Sequence, residues 1–402
     1  MTDWTAFDTL VLSRRRAIVE SFVEFLRRES VSQEPERVRA TGEWLAAEMN
    51  KRKLNARVME TGGNPAVFGE RMIPGAATTL LIYCHYDTKP IPLAGWLQPN
   101  PIEPVFRRGL AEDGVAMTPL AQIADDDLGE HRIYARGASD DKGPIWCHLH
   151  ALDVMDAVGI TAKVNVKFIF DGEEEIGSPF FGAFCEKHRD LLAADACIIT
   201  DGPKHATGRP TISGGARGVG KVELELEAAK RDVHSGNFAV PNPAWKLNGL
   251  LSSMATPDGV PLIEGFEKDV VPPTAAEKAM MAAFPMDFAA MEKDLGVKVA
   301  PDYLDRIMFH PTLTIRGLHS GFLGKEANTI IPHKATVLLE VRMVNNMRWQ
   351  KVVDLLLDHV KAQGFTVIGK HDPLPDALSG WACRTCPRGA MCSRCSACTT
   401  TW

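Results

Sequence analysis

The chain has 402 residues, more than one compact core usually holds, so its length predicts two domains. Hydrophobic residues make up 45% and charged residues 24% of the sequence, the composition of an ordinary soluble globular protein. A net charge of −6 and a pI near 6.1 provide no basic surface for nucleic acid, and no apolar run approaches the length of a membrane span. We therefore expect a protein that binds neither nucleic acid nor a membrane.

The N-terminal residues and four of the cysteines indicate the compartment. Residues 1–16 lack the basic-then-apolar order of a signal peptide. Four cysteines in apolar stretches are predicted to be buried free thiols, as in a reducing compartment: Cys84, Cys147, Cys185 and Cys197. Both observations predict a cytoplasmic protein.

Helical and strand patterns alternate through the first half of the chain. Apolar residues recur at helical spacing in four segments: 7–28, 35–54, 145–158 and 179–188. Short apolar runs predict five strands: 56–59, 66–68, 78–84, 164–170 and 196–200. The stretch after the third strand is rich in proline and glycine and predicts a long loop. The alternation predicts an α/β domain over residues 1–212, with a mostly parallel sheet covered on both faces.

The pattern changes after Gly214 and Gly215. Residues 221–229 (KVELELEAA) alternate between apolar and polar side chains, which predicts a strand with one buried face. The later segments predict a helix at 244–254, an insertion at 257–304, strands at 312–315 and 334–343, a helix at 347–363 and a strand at 365–368. The order β-α-β-β-α-β is that of a ferredoxin-like module, which we expect as a smaller α+β domain over residues 213–370.

Acidic and imidazole side chains follow three predicted strands and occupy one turn of the first domain. These places are His85 with Asp87, Asp140 with Asp141, Glu173 to Glu175, and Asp201. A single carboxylate after a strand is also explained by helix capping, and three adjacent glutamates by a solvated helix start. Because the carboxyl ends of parallel strands share one edge of a sheet, four such places favour a cleft that holds a cation.

The chemistry of these side chains suits a hydrolytic metal centre. Zinc accepts imidazole and carboxylate ligands, and the candidate ligands are His85, Asp140, Glu175 and Asp201. Asp87 could accept the N–H of His85 from behind and orient the ring. Of the adjacent glutamates, one can ligate while its neighbour takes a proton from water as the general base.

Four segments resemble, in order, the metal and catalytic motifs of a co-catalytic dizinc metallopeptidase family. They are HYDTKP at 85–90, GASDDKGP at 137–144, DGEEEIGS at 171–178 and DVHSG at 232–236. The family includes the carnosinases, aminoacylase, carboxypeptidase G, acetylornithine deacetylase and succinyl-diaminopimelate desuccinylase. Residues 95–106 and the Asp-Asp-Lys-Gly-Pro ending look most like the carnosinase-type dipeptidases. The resemblance covers residues 10–370 and implies a zinc-hydrolase catalytic domain with a ferredoxin-like lid or dimerisation domain.

The resemblance implies a centre of two divalent ions, zinc first, with manganese or cobalt as alternatives. It implies that His85, Asp140 and Asp201 hold one ion. Asp140 would bridge to the second ion, which Glu175 would help to hold.

The resemblance also implies roles for four further side chains. Glu174 would be the general base, and Asp87 would orient His85. His234, in the smaller domain, would polarise the substrate carbonyl, and Arg342 would bind the substrate carboxylate in bidentate fashion. The alternative interpretations are a turn residue for His234 and a strand-surface charge for Arg342. Glu173 is expected to be solvated.

The function implied is hydrolysis of the amide bond in dipeptides or N-acyl amino acids by a metal-bridging water, in a homodimer. The residues do not choose between dipeptidase and deacylase. The competing hypothesis is a truncated, inactive family member that acts only as a binding or dimerisation protein, or is a damaged gene product. A third hypothesis is a regulatory module that binds metal through its cysteine-rich tail.

The tail at 371–402 differs in composition from everything before it. The family's last zinc ligand is a histidine near the C-terminus, whereas His359 and His371 lie outside any matching motif. The pairs Cys383-X2-Cys386 and Cys392-X2-Cys395 would allow a zinc knuckle, although their spacer is short for a four-cysteine site. We expect the tail to be the altered remnant of a returning catalytic segment, with no regular strand or helix.

Overall fold

The computed structural model describes residues 4–92, 95–109, 116–202, 205, 209, 211–236, 240–369 and 381–391. The chain forms two compact units, residues 1–210 and 211–402. In the part of the chain that is described, no helix is both long and apolar enough to cross a membrane.

The first unit contains a five-stranded mixed sheet and its covering helices. Its elements are α1 (Thr5–Leu26), α2 (Pro35–Lys51), β1 (Arg57–Met59), β2 (Ala66–Arg71), β3 (Thr79–His85), β4 (Val105–Arg108), β5 (His131–Tyr134), α3 (Lys142–Ala157), β6 (Asn165–Asp171), α4 (Phe181–Lys187), α5 (Arg189–Leu192) and β7 (Ala196–Ile199). The strand order is β1-β2-β6-β3-β7. Strands β6, β3 and β7 run parallel, as predicted for the strands that carry the acidic groups, while β1 and β2 are antiparallel additions.

Strand β6 lies at the centre of this unit and is buried at all of its positions. Phe168 and Phe170 pack on one side with α1, α2 and α3, whereas Ile169 packs on the other side with Phe184 of α4. Apolar side chains on both faces explain why this strand reads as a continuous apolar run.

A two-stranded sheet lies in the segment predicted to be one long loop. Strands β4 and β5 pair antiparallel, with Phe106 opposite Ile133. Phe106 packs with Val23 of α1 and with Ile123 and Leu128. Burial of these side chains stabilises a pair of strands that the proline- and glycine-rich sequence does not predict.

The second unit contains a five-stranded sheet with helices on one face. Its elements are β8 (Gly218–Glu227), β9 (Val233–His234), α6 (Pro243–Met254), α7 (Ala275–Ala283), α8 (Phe288–Leu295), α9 (Tyr303–Phe309), β10 (Thr312–His319), β11 (Ile330–Ile331), β12 (Lys334–Met343), α10 (Trp349–Ala362), β13 (Phe365–Gly369) and β14 (Trp381–Met391). The strand order is β10-β12-β8-β14-β13. Inward side chains of β8 and β12 pack with α6 and α10 in one apolar core. The predicted β-α-β-β-α-β order is present, with β14 added between β8 and β13.

The described part of the cysteine-rich tail is a strand, so the expectation of irregular structure is wrong there. Strand β14 pairs antiparallel with β8 and parallel with β13. Cys383 is a free thiol buried in the apolar core, where burial raises its pKa to about 12. A protonated thiol in an apolar core is a poor zinc ligand, which weakens the knuckle hypothesis at this residue. Residues 370–380 and 392–402, with His371, Cys392 and Cys395, lie outside the described residues.

The four cysteines predicted to be buried thiols are outside any disulfide, and they differ in burial. Cys84 is buried and Cys185 is half-buried, whereas Cys147 and Cys197 are exposed. The prediction of burial is therefore wrong for two of them, because their strand and helix turn those positions outward.

Candidate metal centre

The three parallel strands of the first unit bring the predicted ligands to one edge of the sheet. His85 ends β3 and lies opposite Asp171, which ends β6. Tyr83 lies opposite Ile199, which ends β7, so Asp201 follows at the same edge. The parallel register therefore converts distant sequence motifs into neighbours.

His85 Nε2 is at the centre of the cluster. It lies 2.9 Å from Asp140 Oδ1, 3.9 Å from Glu174 Oε2 and 3.9 Å from Asp201 Oδ2. The ring is fully buried, while the three carboxylates are partly exposed. The arrangement is a buried imidazole at the base of a cleft with carboxylates at its mouth.

The side chains form two groups of three that could each hold a metal ion. One group is His85, Glu174 and Asp201, and the other is His85, Asp140 and Glu175, with the candidate ligand atoms of each group within 4.8 Å of one another. The grouping differs from the implied one, because Glu174 rather than Asp140 accompanies Asp201. All five residues that the sequence singled out as ligands or base are nevertheless together.

The residues fit a pair of divalent ions. An imidazole with several carboxylates is a donor set suited to zinc and manganese. Glu175 Oε1 is buried and has no hydrogen-bond partner among the described residues. A buried carboxylate oxygen without a partner is costly unless a cation compensates it, so this atom supports a metal at the site.

Asp87 supports the centre from below and is fully buried. Its carboxylate lies 3.2 Å from His85 Nδ1, whose ring N–H can also donate to the Asp87 carbonyl at 3.1 Å. The same carboxylate accepts the backbone N–H groups of Glu174 and Glu175 at 3.2 and 3.1 Å, and the Ser32 hydroxyl at 2.6 Å. One side chain therefore fixes both the His85 ring and the turn that carries the glutamates.

Glu173 is buried rather than solvated, so the expectation for this residue is wrong. Its carboxylate accepts the backbone N–H groups of Asn64 and Phe180 at 3.1 and 3.0 Å. Asp171 accepts the Ser178 hydroxyl at 2.6 Å, and burial raises its pKa to about 6. These two carboxylates hold the loop around the glutamate turn. The sequence does not show this role, because the partners of Glu173 are backbone groups that come near it only in the folded chain.

The protonation of His85 depends on its carboxylate neighbours. Burial opposes the charged ring, but hydrogen bonds to Asp140 and Asp87 outweigh it and raise the pKa of His85 to about 11. The bond to His85 lowers the pKa of Asp140, whereas burial raises the pKa of Glu174 and of Asp201. Because a metal ligand must be a neutral imidazole, metal binding at His85 would displace its proton.

The two remaining predicted site residues lie in the second unit. His234 is exposed at the end of β9, and its Nδ1 accepts the N–H of Gly236 at 3.1 Å. Arg342 lies on β12, where its Nε–H donates to Glu340 at 2.9 Å. The Nδ1 atom of His234 is therefore engaged by its own turn, and Arg342 is a strand residue held by a neighbouring carboxylate.

The sequence reasoning missed three residues around the cluster. Ser32 donates to Asp87, Asn64 donates to the Gly172 carbonyl at 2.9 Å, and Lys89 Nζ lies 2.7 Å from Glu175 Oε2. Ser32 and Asn64 belong to no acidic motif, so nothing in the sequence marks them. Lys89 lies inside the HYDTKP segment, and its position next to the ligands was the one available signal.

Proteins from several organisms resemble this chain. The Cys-Gly metallodipeptidase of Schizosaccharomyces pombe is 29% identical over 330 residues, which is 79% of this chain and 64% of that protein. The Beta-Ala-His dipeptidase of Homo sapiens is 27% identical over 307 residues, which is 74% of this chain and 56% of that protein. Among solved structures, the M20 family metallo-carboxypeptidase Sso-CP2 of Sulfolobus solfataricus is 32% identical, has a TM-score of 0.73, and covers 86% of this chain and 75% of its own. The chain spans less than two thirds of the length of the two curated relatives.

Family models match both units. The peptidase dimerisation domain matches residues 215–366. The model of peptidase family M20/M25/M40 matches residues 81–284, half of the chain, and this range includes all five residues of the two ligand groups. The chain thus belongs to peptidase family M20/M25/M40.

Proposed function

We propose that this chain is a metal-dependent hydrolase that cleaves the amide bond of dipeptides, a metallo-exopeptidase. The observation that carries the proposal is the buried His85 imidazole among four carboxylates at the sheet edge of an M20 family member. Two relatives with dipeptidase names support dipeptides as the substrate class.

The cofactor in this proposal is a pair of divalent ions, zinc first and manganese or cobalt as alternatives. His85, Asp140 and Asp201 would hold one ion, and Asp140 with Glu175 would hold the other. Ions bound there would acidify a water molecule and polarise the amide carbonyl. The donor set and the buried Glu175 Oε1 support this assignment.

Glu174 is the proposed general base. Its Oε2 would take a proton from the attacking water and return one to the leaving amine. Burial raises the pKa of Glu174, which makes the carboxylate a better proton acceptor near neutral pH. Asp87 would keep the base in place through its bond to the Glu174 backbone, and would orient His85.

The proposed substrate contacts of the second unit are His234 and Arg342. The Nε2–H of His234 would donate to the carbonyl oxygen as negative charge develops on it. Arg342 would bind the free carboxylate of the substrate, with Glu340 holding its Nε–H so that the guanidinium keeps one orientation. The exposure of His234 and the partial exposure of Arg342 support contact with a ligand.

The test is turnover by the metal-loaded chain. Dipeptides and N-acyl amino acids are supplied in parallel, and product is measured with metal content. We expect Glu174→Gln to lower kcat by about 10²–10⁴-fold while both ions stay bound. Glu186→Gln, an exposed glutamate paired with Arg189, is the matched control and should leave turnover unchanged.

Each other outcome has a definite meaning. Unchanged turnover in Glu174→Gln would refute the base. Cleavage of N-acyl amino acids alone would make the chain a deacylase. Two bound ions with no cleavage of either substrate class would favour the inactive binding protein.

The proposed assembly is a homodimer formed through residues 215–366, the range that matches a dimerisation domain. Sedimentation of the purified chain should give twice the monomer mass of 44.0 kDa. A monomer at all concentrations would refute it. The cytoplasmic location stays a prediction.

A further inference from the structure

The ammonium group of Lys89 pairs with a carboxylate of the candidate metal centre. Its Nζ is 2.7 Å from Glu175 Oε2. The lysine side chain is 58% exposed, whereas that of Glu175 is 3% exposed. Lys89 thus reaches inward from solvent to pair with a carboxylate that the proposed centre requires.

Glu175 has few other contacts for its charge. Its other oxygen, Oε1, is buried and has no hydrogen-bond partner among the described residues. Its backbone N–H donates to Asp87, which fixes the turn from which the side chain extends. The Lys89 ammonium is therefore the counter-charge that the described residues supply to the Glu175 carboxylate.

We propose that Lys89 competes with a metal ion for Glu175 and so weakens the ion held by Asp140 and Glu175 relative to the ion held by His85, Asp140 and Asp201. The inference rests on the proposed function, since it assumes that both groups bind metal. A divalent ion on Glu175 must either displace the ammonium or bind beside it, and the two cations repel each other.

The consequence is a pair of ions with unequal affinity. The place with His85 and Asp201 fills first, and the place with Glu175 fills second and exchanges more readily. Because Lys89 is more than half exposed, salt screens its effect and limits it to a modest factor.

The experiment is metal titration of the full chain after removal of metal by a chelator. Calorimetry with zinc and, in parallel, manganese measures the affinity of each ion in the absence of substrate. We expect Lys89→Gln to tighten the weaker ion by on the order of three- to tenfold, and the stronger ion by less. The difference should shrink in 1 M salt, where charges are screened beyond about 3 Å.

Two further variants isolate the pair. Lys51→Gln removes an exposed lysine that pairs with the mostly buried Glu48 of the same unit, and it should leave both affinities unchanged. In a Glu175→Gln background, Lys89→Gln should have no effect, because the shared carboxylate is gone. Melting curves check that each variant is folded.

The outcomes separate this inference from the proposed function. Two ions bound by the unmodified chain, with equal or weaker affinities in Lys89→Gln, would overturn the competition alone. An equal gain in the Glu175→Gln background would also overturn it. Failure of both the unmodified chain and Lys89→Gln to bind any ion would overturn the metal centre itself.

Discussion

The central strands of the two units bury their side chains in different ways. Strand β6 (NVKFIFD) is buried at every position, while β8 (GVGKVELELE) alternates between buried and half-exposed residues. Helices pack against both faces of β6, whereas the helices that cover β8 lie on one face of its sheet. Carboxylates at the end of a doubly covered strand lie in a poorly solvated cleft, whereas the glutamates of β8 point away from the core and stay partly exposed.

Two glutamates show the result of this difference. Glu175, beyond the end of β6, is almost fully buried and has one oxygen without a partner among the described residues. Glu225, on β8, is 24% exposed and pairs with Lys334 at 3.2 Å. The partnerless oxygen of Glu175 is stabilised when a cation binds it, which suits a metal centre. The pair of Glu225 and Lys334 is an ordinary cross-strand ion pair.

The largest expected effect is on the free energy of unfolding, when neighbouring residues of β6 and of β8 are each replaced by alanine. In β6, Ile169→Ala and Phe170→Ala should each reduce the free energy of unfolding by about 2–5 kcal/mol, because both faces are packed. In β8, Leu224→Ala should cost a similar amount, but Glu225→Ala less than about 1 kcal/mol. The free energies of unfolding of the four variants are measured by urea unfolding, with hydrogen exchange used to monitor each unit separately. A loss of less than about 1 kcal/mol at either β6 position would show that β6 is not packed on both faces.

Metal removal is the next effect in size and should be confined to the first unit. If metal is present at about 100 times its Kd, its loss removes about 2.7 kcal/mol of stability. Hydrogen exchange after treatment with a chelator should therefore accelerate around residues 85–87 and 171–178 and stay unchanged in β8 and β12. Equal acceleration in both units would contradict a centre built by the first unit.

Asp87→Ala tests the buried carboxylate that supports the centre. Loss of its bonds to His85, Glu174 and Glu175 should weaken metal binding by about 10–100-fold. Asp87→Asn keeps an acceptor and should recover part of the affinity. Glu225→Ala in the second unit is the matched control and should leave metal binding unchanged, as measured by calorimetry. Full affinity in Asp87→Ala would show that the ring is oriented by other contacts.

The smallest expected effect concerns two thiols. Burial raises the pKa of Cys383 to about 12, so below pH 9 it is almost wholly a protonated thiol. Cys197, exposed on β7, should react with a maleimide reagent in the native chain, whereas Cys383 should react only after unfolding. Peptide mass mapping identifies the modified cysteine. Rapid native labelling of Cys383 would show that β14 opens easily.

The side chains that cluster at the candidate metal centre could be singled out from the sequence because short-range patterns carry them. Three strands are visible in the sequence as apolar runs that are followed by polar groups. The first ends in His85, the second ends at the glutamate run, and the third leads to Asp201. Parallel pairing then places their ends together. The division of roles between Glu174 and Glu175 stays a prediction, since both carboxylates lie within reach of His85.

The supporting residues could not be predicted, because their partners are backbone groups of distant segments. Glu173 resembles its neighbours in sequence, yet it is buried by Asn64 and Phe180. Strand β14 lacks apolar alternation and forms by pairing with β8 and β13. A hydrogen bond to a backbone group can form with any residue type, so it produces no pattern in the sequence of either partner.

The sequence by itself determined the family, the alternation of elements and the candidate metal ligands. These features depend on local periodicity and on side-chain chemistry, which a single chain displays directly. Only the tertiary structure decided that Asp87, which the sequence predicts to orient His85, also holds the glutamate turn, and that Lys89 pairs with Glu175. Burial and the distance between charged groups set the energies of these contacts, and both quantities exist only after the chain has folded.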